Sequence, residues 1–169
     1  MTAETAPFDP LLLRRAFGNF PTGVTVVTAA PEAGPAGMTV GSFFSVSLDP
    51  PLVGLCADKG SGSWAAMAPA NAFAVNFLCA DQTDLSNRFA SKADDKFDGL
   101  DWHPAPTGSP LLPDVIGWVD CVTEQTVDSG DHWIIIGRVT AIEILREADP
   151  LVFFRGGYGS FAPVDPSRH

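Results

Sequence analysis

Short apolar runs alternate with turn-forming residues along most of the chain, and this pattern predicts more strands than helices. Runs rich in β-branched and aromatic residues indicate strands at 24–29, 38–48, 52–57, 73–79, 115–127, 133–145 and 151–154. The sequence Asp128-Ser129-Gly130-Asp131 lies between the two longest runs and predicts a hairpin. Because short turns rather than helices join most strands, the pattern favours an antiparallel β-barrel over a doubly wound parallel sheet.

A few short helices complete the predicted fold. Asp9-Pro10 suits the N-cap and first position of a helix that ends at Phe17. A second helix is expected at 63–67, and a third begins with Thr83 as its cap. Residues 91–113 are rich in Pro and Gly, so we expect irregular structure there that is functional or mobile.

The segment 38–48 carries the most informative pattern. Side chains alternate between the two faces of a strand, so one face here is apolar and the other carries hydroxyls around an aromatic ring. The hydroxyl face holds Thr39, Phe43, Ser45 and Ser47. Ser42 falls on the apolar face unless the strand bulges. Asp49-Pro50-Pro51 then ends the strand. Such a strand suits the wall of a cleft for a polar, planar ligand.

Composition narrows the class of protein. The chain has 169 residues, of which 46% are hydrophobic, so we expect one domain over 1–169, with flexible tails at the first few residues and at about 163–169. The formal net charge of -10 argues against a nucleic-acid partner. No apolar run approaches the roughly 20 residues of a membrane span. The N-terminus also lacks the features of a signal peptide, so we expect no membrane association and a cytoplasmic protein.

Motifs of known chemistry are scarce. The chain has no G-x-G-x-x-G, G-x-S-x-G, H-E-x-x-H or Walker A sequence, and its histidines lack metal-ligand spacing, so no metal site is expected. The three cysteines lie far apart and are expected to be buried free thiols. Surface pairing with carboxylates is the favoured interpretation for any single cation. The candidates for holding an anionic small molecule are Arg14, Arg15, Lys59, Arg88, Lys92, Lys96 and Arg155.

Five segments, in order along the chain, form a combined pattern: Phe20–Thr28, Thr39–Leu52, Asp84–Ala90, Gly130–Gly137 and Pro150–Tyr158. Together they resemble the short-chain flavin reductases, which are NAD(P)H-dependent components of two-component monooxygenases. The resemblance covers nearly the whole chain except its two ends. It implies the FMN-binding split barrel, a mainly β fold in which a split antiparallel barrel carries a few short helices.

The resemblance also implies a set of binding residues. For the flavin they are Thr39, Val40, Ser42, Ser45, Val46, Ser47, Cys56, Lys59, Ser61, Ser63, Trp64, Asn87, Arg88 and Phe89, with Lys59, Ser61 and Ser63 at the phosphate and ribityl chain. For NAD(P)H they are His132, Arg155 and Tyr158. Structural alternatives remain open: an ordinary solvated loop at 58–63, core positions for Trp64 and Phe89, and a histidine that only orders the hairpin.

The function implied by the resemblance is the NAD(P)H-dependent reduction of FMN or FAD. Hydride passes directly between the two cofactors, so no catalytic residue is expected. NADH is favoured over NADPH because no basic cluster marks a 2′-phosphate site. The expected partners are a second copy of the chain in a homodimer and a separate monooxygenase that receives the reduced flavin. Two alternatives remain open: an enzyme that keeps FMN as a prosthetic group, and a non-catalytic flavin- or haem-binding protein.

Overall fold

The structure, a computed structural model, describes residues 8–164. The predicted N-terminal tail and most of the C-terminal tail lie outside the described residues. The strands are β1 (Thr22–Gly23), β2 (Thr25–Ala29), β3 (Ala36–Val40), β4 (Phe44–Leu48), β5 (Pro51–Asp58), β6 (Ala72–Phe77), β7 (His103–Pro104), β8 (Pro110–Leu111), β9 (Gly117–Ser129), β10 (His132–Ile144), β11 (Leu151–Phe154) and β12 (Gly157–Ser160). The helices are α1 (Pro10–Phe17), α2 (Gly62–Met67), a 3-10 turn (Ala68–Ala70) and α3 (Thr83–Ala90).

The main sheet has seven strands in the order β3-β2-β6-β9-β10-β5-β4, and every neighbouring pair is antiparallel. Although β3 and β4 follow each other in the chain, they form opposite edges of this sheet. Only residues 41–43 lie between them, and three residues span roughly 10 Å at most. The sheet must therefore curl until its two edges meet, which produces the split barrel that the sequence predicts. The predicted fold class is confirmed.

The seam of the barrel is the place where its edge strands β3 and β4 meet, at residues 41–43. The Ser42 side chain stabilises this seam. The Ser42 hydroxyl accepts a hydrogen bond from the backbone N–H of Cys56 (2.9 Å) and donates one to the backbone oxygen of the same residue (3.2 Å). These two bonds attach the crossing segment 41–43 to β5 at a place where no strand pairs with it. Ser42 therefore has a structural role that the sequence pattern did not reveal.

Two apolar clusters lie on the two sides of the sheet. The first fills the barrel and contains Val27, Met38, Val53, Leu55, Phe73, Val75, Val119 and Ile135. The second lies between the sheet and the elements that cover it, and contains Val24, Val26, Leu78, Phe89, Leu112, Val115 and Leu151. Val26 and Val27 are both fully buried although they point to opposite sides, which shows that β2 is a central, doubly covered strand.

Buried polar groups hold the segment 103–112 against the sheet. The Asn76 side chain donates to the backbone oxygen of Val26 (3.1 Å) and accepts from the backbone N–H of Leu112 (2.9 Å). The fully buried Asp120 carboxylate accepts from the backbone N–H (2.9 Å) and hydroxyl (2.6 Å) of Thr107. The Asn76 amide and the Asp120 carboxylate are thus both paired, as burial requires. The end of the predicted irregular region is therefore anchored, and it contains the short β7–β8 pair.

The first two helices begin with side-chain caps. The Asp9 carboxylate accepts from the backbone N–H of Leu11 (3.0 Å), as the sequence predicts. α2 begins one residue earlier than expected, at Gly62, because the Ser61 hydroxyl accepts from the backbone N–H of Trp64 (3.2 Å).

The prediction that Thr83 caps α3 is wrong. Thr83 is the first residue of the helix, and Gln82 occupies the cap position without a side-chain bond to the helix. The Gln82 amide instead accepts from the backbone N–H of Cys79 (3.0 Å) and donates to the backbone oxygen of Pro113 (3.0 Å). It therefore joins the start of α3 to the neighbouring loop.

The prediction of one continuous strand over 38–48 is also wrong. The chain leaves β3 after Val40, crosses the seam, and begins β4 at Phe44. A β-bulge at Val46 then shifts the register between β4 and β5. The break and the bulge each interrupt the alternation of side chains, so the proposed single hydroxyl face does not form.

Candidate active site

A cavity of about 890 Å³ opens beside β3. β3 and the bend after it (36–42) form one side, and the end of β5 (56–58) with the start of α2 (60–63) forms another. Residues 89–94, Lys96 and Phe97, at the end of α3 and beyond, provide a third side, and His132 at the start of β10 also lines the cavity. The volume lies within the usual range for cofactor-sized ligands.

The cavity brings together a subset of the predicted binding residues: Thr39, Val40, Ser42, Cys56, Ser61, Ser63, Phe89 and His132. Some of their hydroxyls already have backbone partners. Thr39 Oγ1 donates to the backbone oxygen of Ser86 (2.6 Å), and Ser42 is bonded to Cys56 as described above. The hydroxyls of Thr39 and Ser42 therefore already donate to the backbone, and they can only accept hydrogen bonds from a ligand.

Lys96 is a buried cation in the cavity wall, only 6% exposed. Its ammonium donates to the backbone oxygens of Gly37 (3.2 Å) and Phe89 (3.0 Å) and to Ser63 Oγ (2.8 Å). Among the described residues, no carboxylate forms an ion pair with it. Burial lowers the pKa of Lys96, and the negative charge of Asp94 offsets part of that shift.

The turn between β9 and β10 places His132 at the cavity. His132 Nδ1 lies 2.7 Å from the Asp131 carboxylate, and this hydrogen bond holds the pKa of Asp131 below its usual range. The carboxylate assigns the donor role to Nδ1, which leaves Nε2 for a ligand. Lys59 lies nearby but outside the lining. It pairs with Asp128 (2.7 Å) and lies over the Trp133 ring (4.7 Å from Nζ to the ring centre).

The predicted flavin residues on β4 do not line this cavity. Ser45 and Val46 are exposed on this edge strand, and Ser47 is half-buried there. They lie apart because β4 follows the crossing segment to the opposite edge of the sheet. A ligand-binding role for these three residues stays a prediction.

The predicted helical residues Trp64, Asn87 and Arg88 also lie outside the lining. Trp64 is half-buried and packs against the barrel core. The Arg88 guanidinium donates to the backbone oxygens of Asp95 (3.3 Å) and Asp98. Arg88 therefore holds the segment that follows α3 in place. Its guanidinium stabilises the cavity wall and does not line the cavity.

The two C-terminal residues predicted for NAD(P)H lie on the small sheet β1-β11-β12. Arg155 donates to the Asn19 side chain (2.9 Å). The Tyr158 hydroxyl lies 2.9 Å from Ser86 Oγ and donates to Asn87 Oδ1 (3.2 Å). Tyr158 lines a separate groove of about 360 Å³ on that sheet. The structure does not bring these residues together with His132.

Lys96 lines the cavity but is absent from the predicted binding set. Its neighbours Asp94 and Asp95 are typical of a solvated surface segment, so the sequence did not separate Lys96 from the other candidate cations. The adjoining Phe97 was the available signal. Its ring packs edge-to-face on Phe89 at 5.0 Å, which turns this segment back onto the buried cluster.

The cysteines and the possible metal ligands add no further chemistry to the cavity. Cys79 and Cys121 are buried free thiols as predicted, whereas the free Cys56 is half-buried on the cavity wall. Burial and the neighbouring Asp120 raise the pKa of Cys121 to about 12. Within residues 8–164, no three His, Cys, Asp or Glu side chains group as metal ligands. The helices in that range are all too short or too polar to cross a bilayer.

A curled antiparallel sheet with a cofactor-sized cavity beside its seam defines a split-barrel cofactor-binding protein. The family profile described as flavin reductase like domain matches residues 17–162. Because this match covers most of the chain, the protein belongs to the flavin reductase like family.

Similar proteins cover nearly the whole chain. A flavin reductase of Pseudomonas putida is 45% identical over 157 residues, which are 92% of this chain and 92% of its own. The reductase subunit HsaB of a flavin-dependent monooxygenase from Rhodococcus jostii (strain RHA1) is 43% identical, over 92% of this chain and 80% of its own. A solved NADH:FAD oxidoreductase from Streptomyces globisporus, in complex with NAD and FAD fragments, is 36% identical with a TM-score of 0.86, over 95% of this chain and 99% of its own.

Proposed function

We propose that the protein is a single-domain NAD(P)H-dependent flavin oxidoreductase that supplies reduced flavin to a separate monooxygenase. One observation carries this proposal: the cavity beside the barrel seam has a cofactor-sized volume, and its wall includes several neutral hydrogen-bonding groups and one buried ammonium. Membership of the flavin reductase like family supports a flavin as the ligand of that cavity. The similar reductase subunit of a flavin-dependent monooxygenase supports the role of electron supplier.

The cavity wall fits the two unlike ends of a flavin. Val40 and Phe89 provide apolar surface for the planar ring, and Thr39 and Ser42 provide acceptors beside them. The hydroxyl of Ser63 and the ammonium behind it suit the polar, phosphate-bearing end. Apolar walls with a few placed polar groups are typical of cofactor sites.

When bound, the flavin supplies the hydride acceptor and the nicotinamide supplies the hydride, so the chain needs no nucleophile. The task of the protein is to hold the two rings together in a fixed orientation. We assign His132 to nicotinamide binding, since Asp131 engages Nδ1 and leaves Nε2 free for the substrate. We assign NADH as the donor because Lys59, the cation beside this hairpin, is already paired with Asp128.

We also propose that the flavin is an exchanging substrate. Residues 90–94, which line part of the cavity, are all exposed, so this wall of the cavity lies at the protein surface. An exchanging flavin would leave the purified protein colourless. NADH oxidation would then require added FMN or FAD, and the two flavins can be compared directly.

Two measurements test this proposal: the absorbance of the purified protein, and NADH or NADPH oxidation with and without each flavin. A yellow protein that oxidises NADH without added flavin would show a prosthetic group instead. A protein that binds flavin but oxidises neither nicotinamide would contradict the enzymatic function and support the non-catalytic alternative.

We further propose a homodimer. None of the eight residues of α1 is buried, although Leu11, Leu12 and Phe17 are 67%, 56% and 71% exposed. The edge strand β4 also presents Leu48 at 89% exposure. Apolar surface on an unpaired edge and on an uncovered helix is typical of an interaction site. A second copy of this chain is the occupant that family membership favours.

A further inference from the structure

Tyr158 joins the small sheet to α3. It lies on β12, an edge strand of the sheet β1-β11-β12. Its ring packs edge-to-face on Phe153 at 5.4 Å and also packs against the second apolar cluster, so packing fixes the position of the ring. Its hydroxyl reaches α3, where it lies 2.9 Å from Ser86 Oγ and 3.2 Å from Asn87 Oδ1.

The hydrogen bonds of the Tyr158 hydroxyl have a defined direction. This hydroxyl donates its single proton to the Asn87 amide oxygen, so the Ser86 hydroxyl must donate to Tyr158 Oη. Ser86 is fully buried, and within residues 8–164 this is the one hydrogen bond of its hydroxyl. Removing the Tyr158 oxygen would therefore leave a buried donor unpaired, which is unfavourable.

Ser86 also holds a side chain of the cavity wall. Its backbone oxygen accepts the proton of the Thr39 hydroxyl at 2.6 Å, and Thr39 lines the cavity. α3 packs closely on β3, since a Cβ on Gly37 would lie only 2.7 Å from the ring of Phe89, another lining residue. The position of α3 relative to β3 therefore determines both the orientation of the Thr39 hydroxyl and the apolar wall beside it.

We infer that Tyr158 is a positioning residue for the flavin site, although it does not line the cavity. Its hydroxyl holds Ser86, and Ser86 holds the Thr39 hydroxyl in the orientation that can accept a hydrogen bond from the ligand. Side chains that contact a ligand keep their geometry only when the residues behind them are also fixed. The inference rests on the proposed flavin-binding function and adds to it a residue from a separate sheet.

The experiment uses Tyr158→Phe, which removes only the hydroxyl, and measures FMN affinity by the change in flavin fluorescence. The affinity should fall about threefold to tenfold, the range of one hydrogen bond. Thr140→Val is the matched control, because the Thr140 hydroxyl donates to the backbone oxygen of Asp120 (3.0 Å) away from the cavity. That variant should bind FMN within about twofold of the wild type. Unchanged affinity in Tyr158→Phe, or an equal loss in the control, would overturn the inference.

A double-mutant cycle tests whether Tyr158 acts through Thr39. Thr39→Val removes the hydroxyl that Ser86 orients, so adding Tyr158→Phe to that variant should reduce FMN affinity by less than about twofold further. The same loss in both backgrounds would contradict the inference. If Tyr158→Phe does not fold, Ser86→Ala decides, because it removes the other end of the same hydrogen bond. Wild-type affinity in that variant would count against a role for this bond.

NADH kinetics separate positioning from direct contact with the nicotinamide, which the resemblance implies for Tyr158. At saturating FMN, Tyr158→Phe should keep the KM for NADH within about twofold of the wild type. A higher KM for NADH, together with unchanged FMN affinity, would assign Tyr158 to the nicotinamide and overturn the positioning role.

Amide hydrogen exchange of the flavin-free protein tests the role of Tyr158 without any ligand. The backbone N–H groups of α3 should exchange about threefold to tenfold faster in Tyr158→Phe, and those of β9 and β10 should be unaffected. Unchanged exchange in α3 would overturn the inference and leave the proposed function intact. Faster exchange in α3 of a protein whose wild type binds neither FMN nor FAD would refute the proposed function, and with it the flavin role of Tyr158.

Discussion

At the scale of single residues, His132 is the side chain that connects the β9–β10 turn to the cavity. If its Nε2 binds the nicotinamide substrate, His132→Ala should lower kcat/KM for NADH by about tenfold, the value of one hydrogen bond in the transition state. Flavin affinity should change less than about twofold. Stopped-flow reduction of the flavin at varied NADH concentration measures this effect.

Asp131→Asn is the matched control for that variant, because it keeps the size of the side chain and removes the charge that engages Nδ1. We expect it to reduce kcat/KM for NADH by less than His132→Ala does. A His132→Ala protein that melts normally and reduces flavin with unchanged NADH dependence would remove His132 from the site.

A second prediction concerns the stability of variants at two glycines, each of which lies against an aromatic ring. A Cβ at Gly137 would lie 2.5 Å from the buried Phe73 ring and 3.0 Å from Cys121 Cβ. A Cβ at Gly54 would meet the Phe44 ring, but Phe44 is 42% exposed and can move outward. We expect Gly137→Ala to lower the free energy of unfolding by about 1–3 kcal/mol, as overpacking does.

Gly54→Ala serves as the control and should change the unfolding free energy by less than about 1 kcal/mol. Replacing glycine by alanine reduces the conformational entropy of the unfolded chain, and this stabilising effect offsets part of the cost of moving Phe44. Urea denaturation of both variants measures the difference. Equal destabilisation of the two would show that Phe44 is held as rigidly as Phe73.

Lys96 predicts a pH dependence of stability. Burial lowers the pKa of Lys96 below its ordinary value of 10.5, so the unfolded chain keeps this proton to higher pH than the folded chain. Between the two pKa values the unfolded state binds more protons, and the free energy of unfolding therefore rises with pH. This contribution is fully present above the unfolded pKa and is lost as pH falls through the folded pKa.

Lys96→Met should remove that slope. Urea denaturation of the flavin-free wild type and variant, at a series of alkaline pH values up to about 10.4, gives the difference between their unfolding free energies. The wild-type value should rise relative to the variant across this window. A constant difference would contradict the lowered pKa.

At the scale of elements, the crossing between β3 and β4 depends on Ser42. Ser42→Ala leaves the backbone N–H and oxygen of Cys56 without their side-chain partner. We expect a loss of about 1–3 kcal/mol of unfolding free energy, the usual effect of leaving such groups unpaired. Chemical denaturation without ligand measures it. Ser45→Ala, on the exposed part of β4, should change stability by less than about 0.5 kcal/mol.

The same crossing shows why the strands were easier to predict than the site. The apolar runs that became β2, β5 and β10 carry their pattern locally, so their positions follow from the sequence. The break at 41–43 has no local cause in the alternation of residues. It arises because β3 and β4 lie at opposite edges of the sheet, and edge positions depend on long-range pairing.

The candidate site was predicted where its residues are local to β3 and the 58–63 loop, as for Thr39 and Ser63. It was not predicted for Lys96, because burial of that ammonium depends on contacts with Gly37, Phe89 and Ser63, which are distant in sequence. The hydroxyl pattern also failed to reveal that Thr39 and Ser42 bond to the backbone.

At the scale of the whole molecule, the proposed dimer explains the exposed apolar surface of α1 and β4. In a monomer, Leu48→Lys would replace a side chain that is 89% exposed and would leave both the stability and the association state unchanged. In a dimer that uses β4, the same lysine is placed against the partner, where burying an unpaired charge is unfavourable. Sedimentation at micromolar concentration should therefore give a dimer for the wild type and a monomer for Leu48→Lys.

Val164→Lys, a fully exposed apolar position at the end of the described chain, is the matched control and should remain dimeric. Melting temperature measured at two protein concentrations gives a second readout, because dissociation linked to unfolding makes the wild-type value rise with concentration. A monomeric wild type with full NADH oxidation would contradict the dimer. A dimeric Leu48→Lys would place the interface away from β4, and Phe17→Lys on α1 would then be the variant that tests the other exposed apolar element.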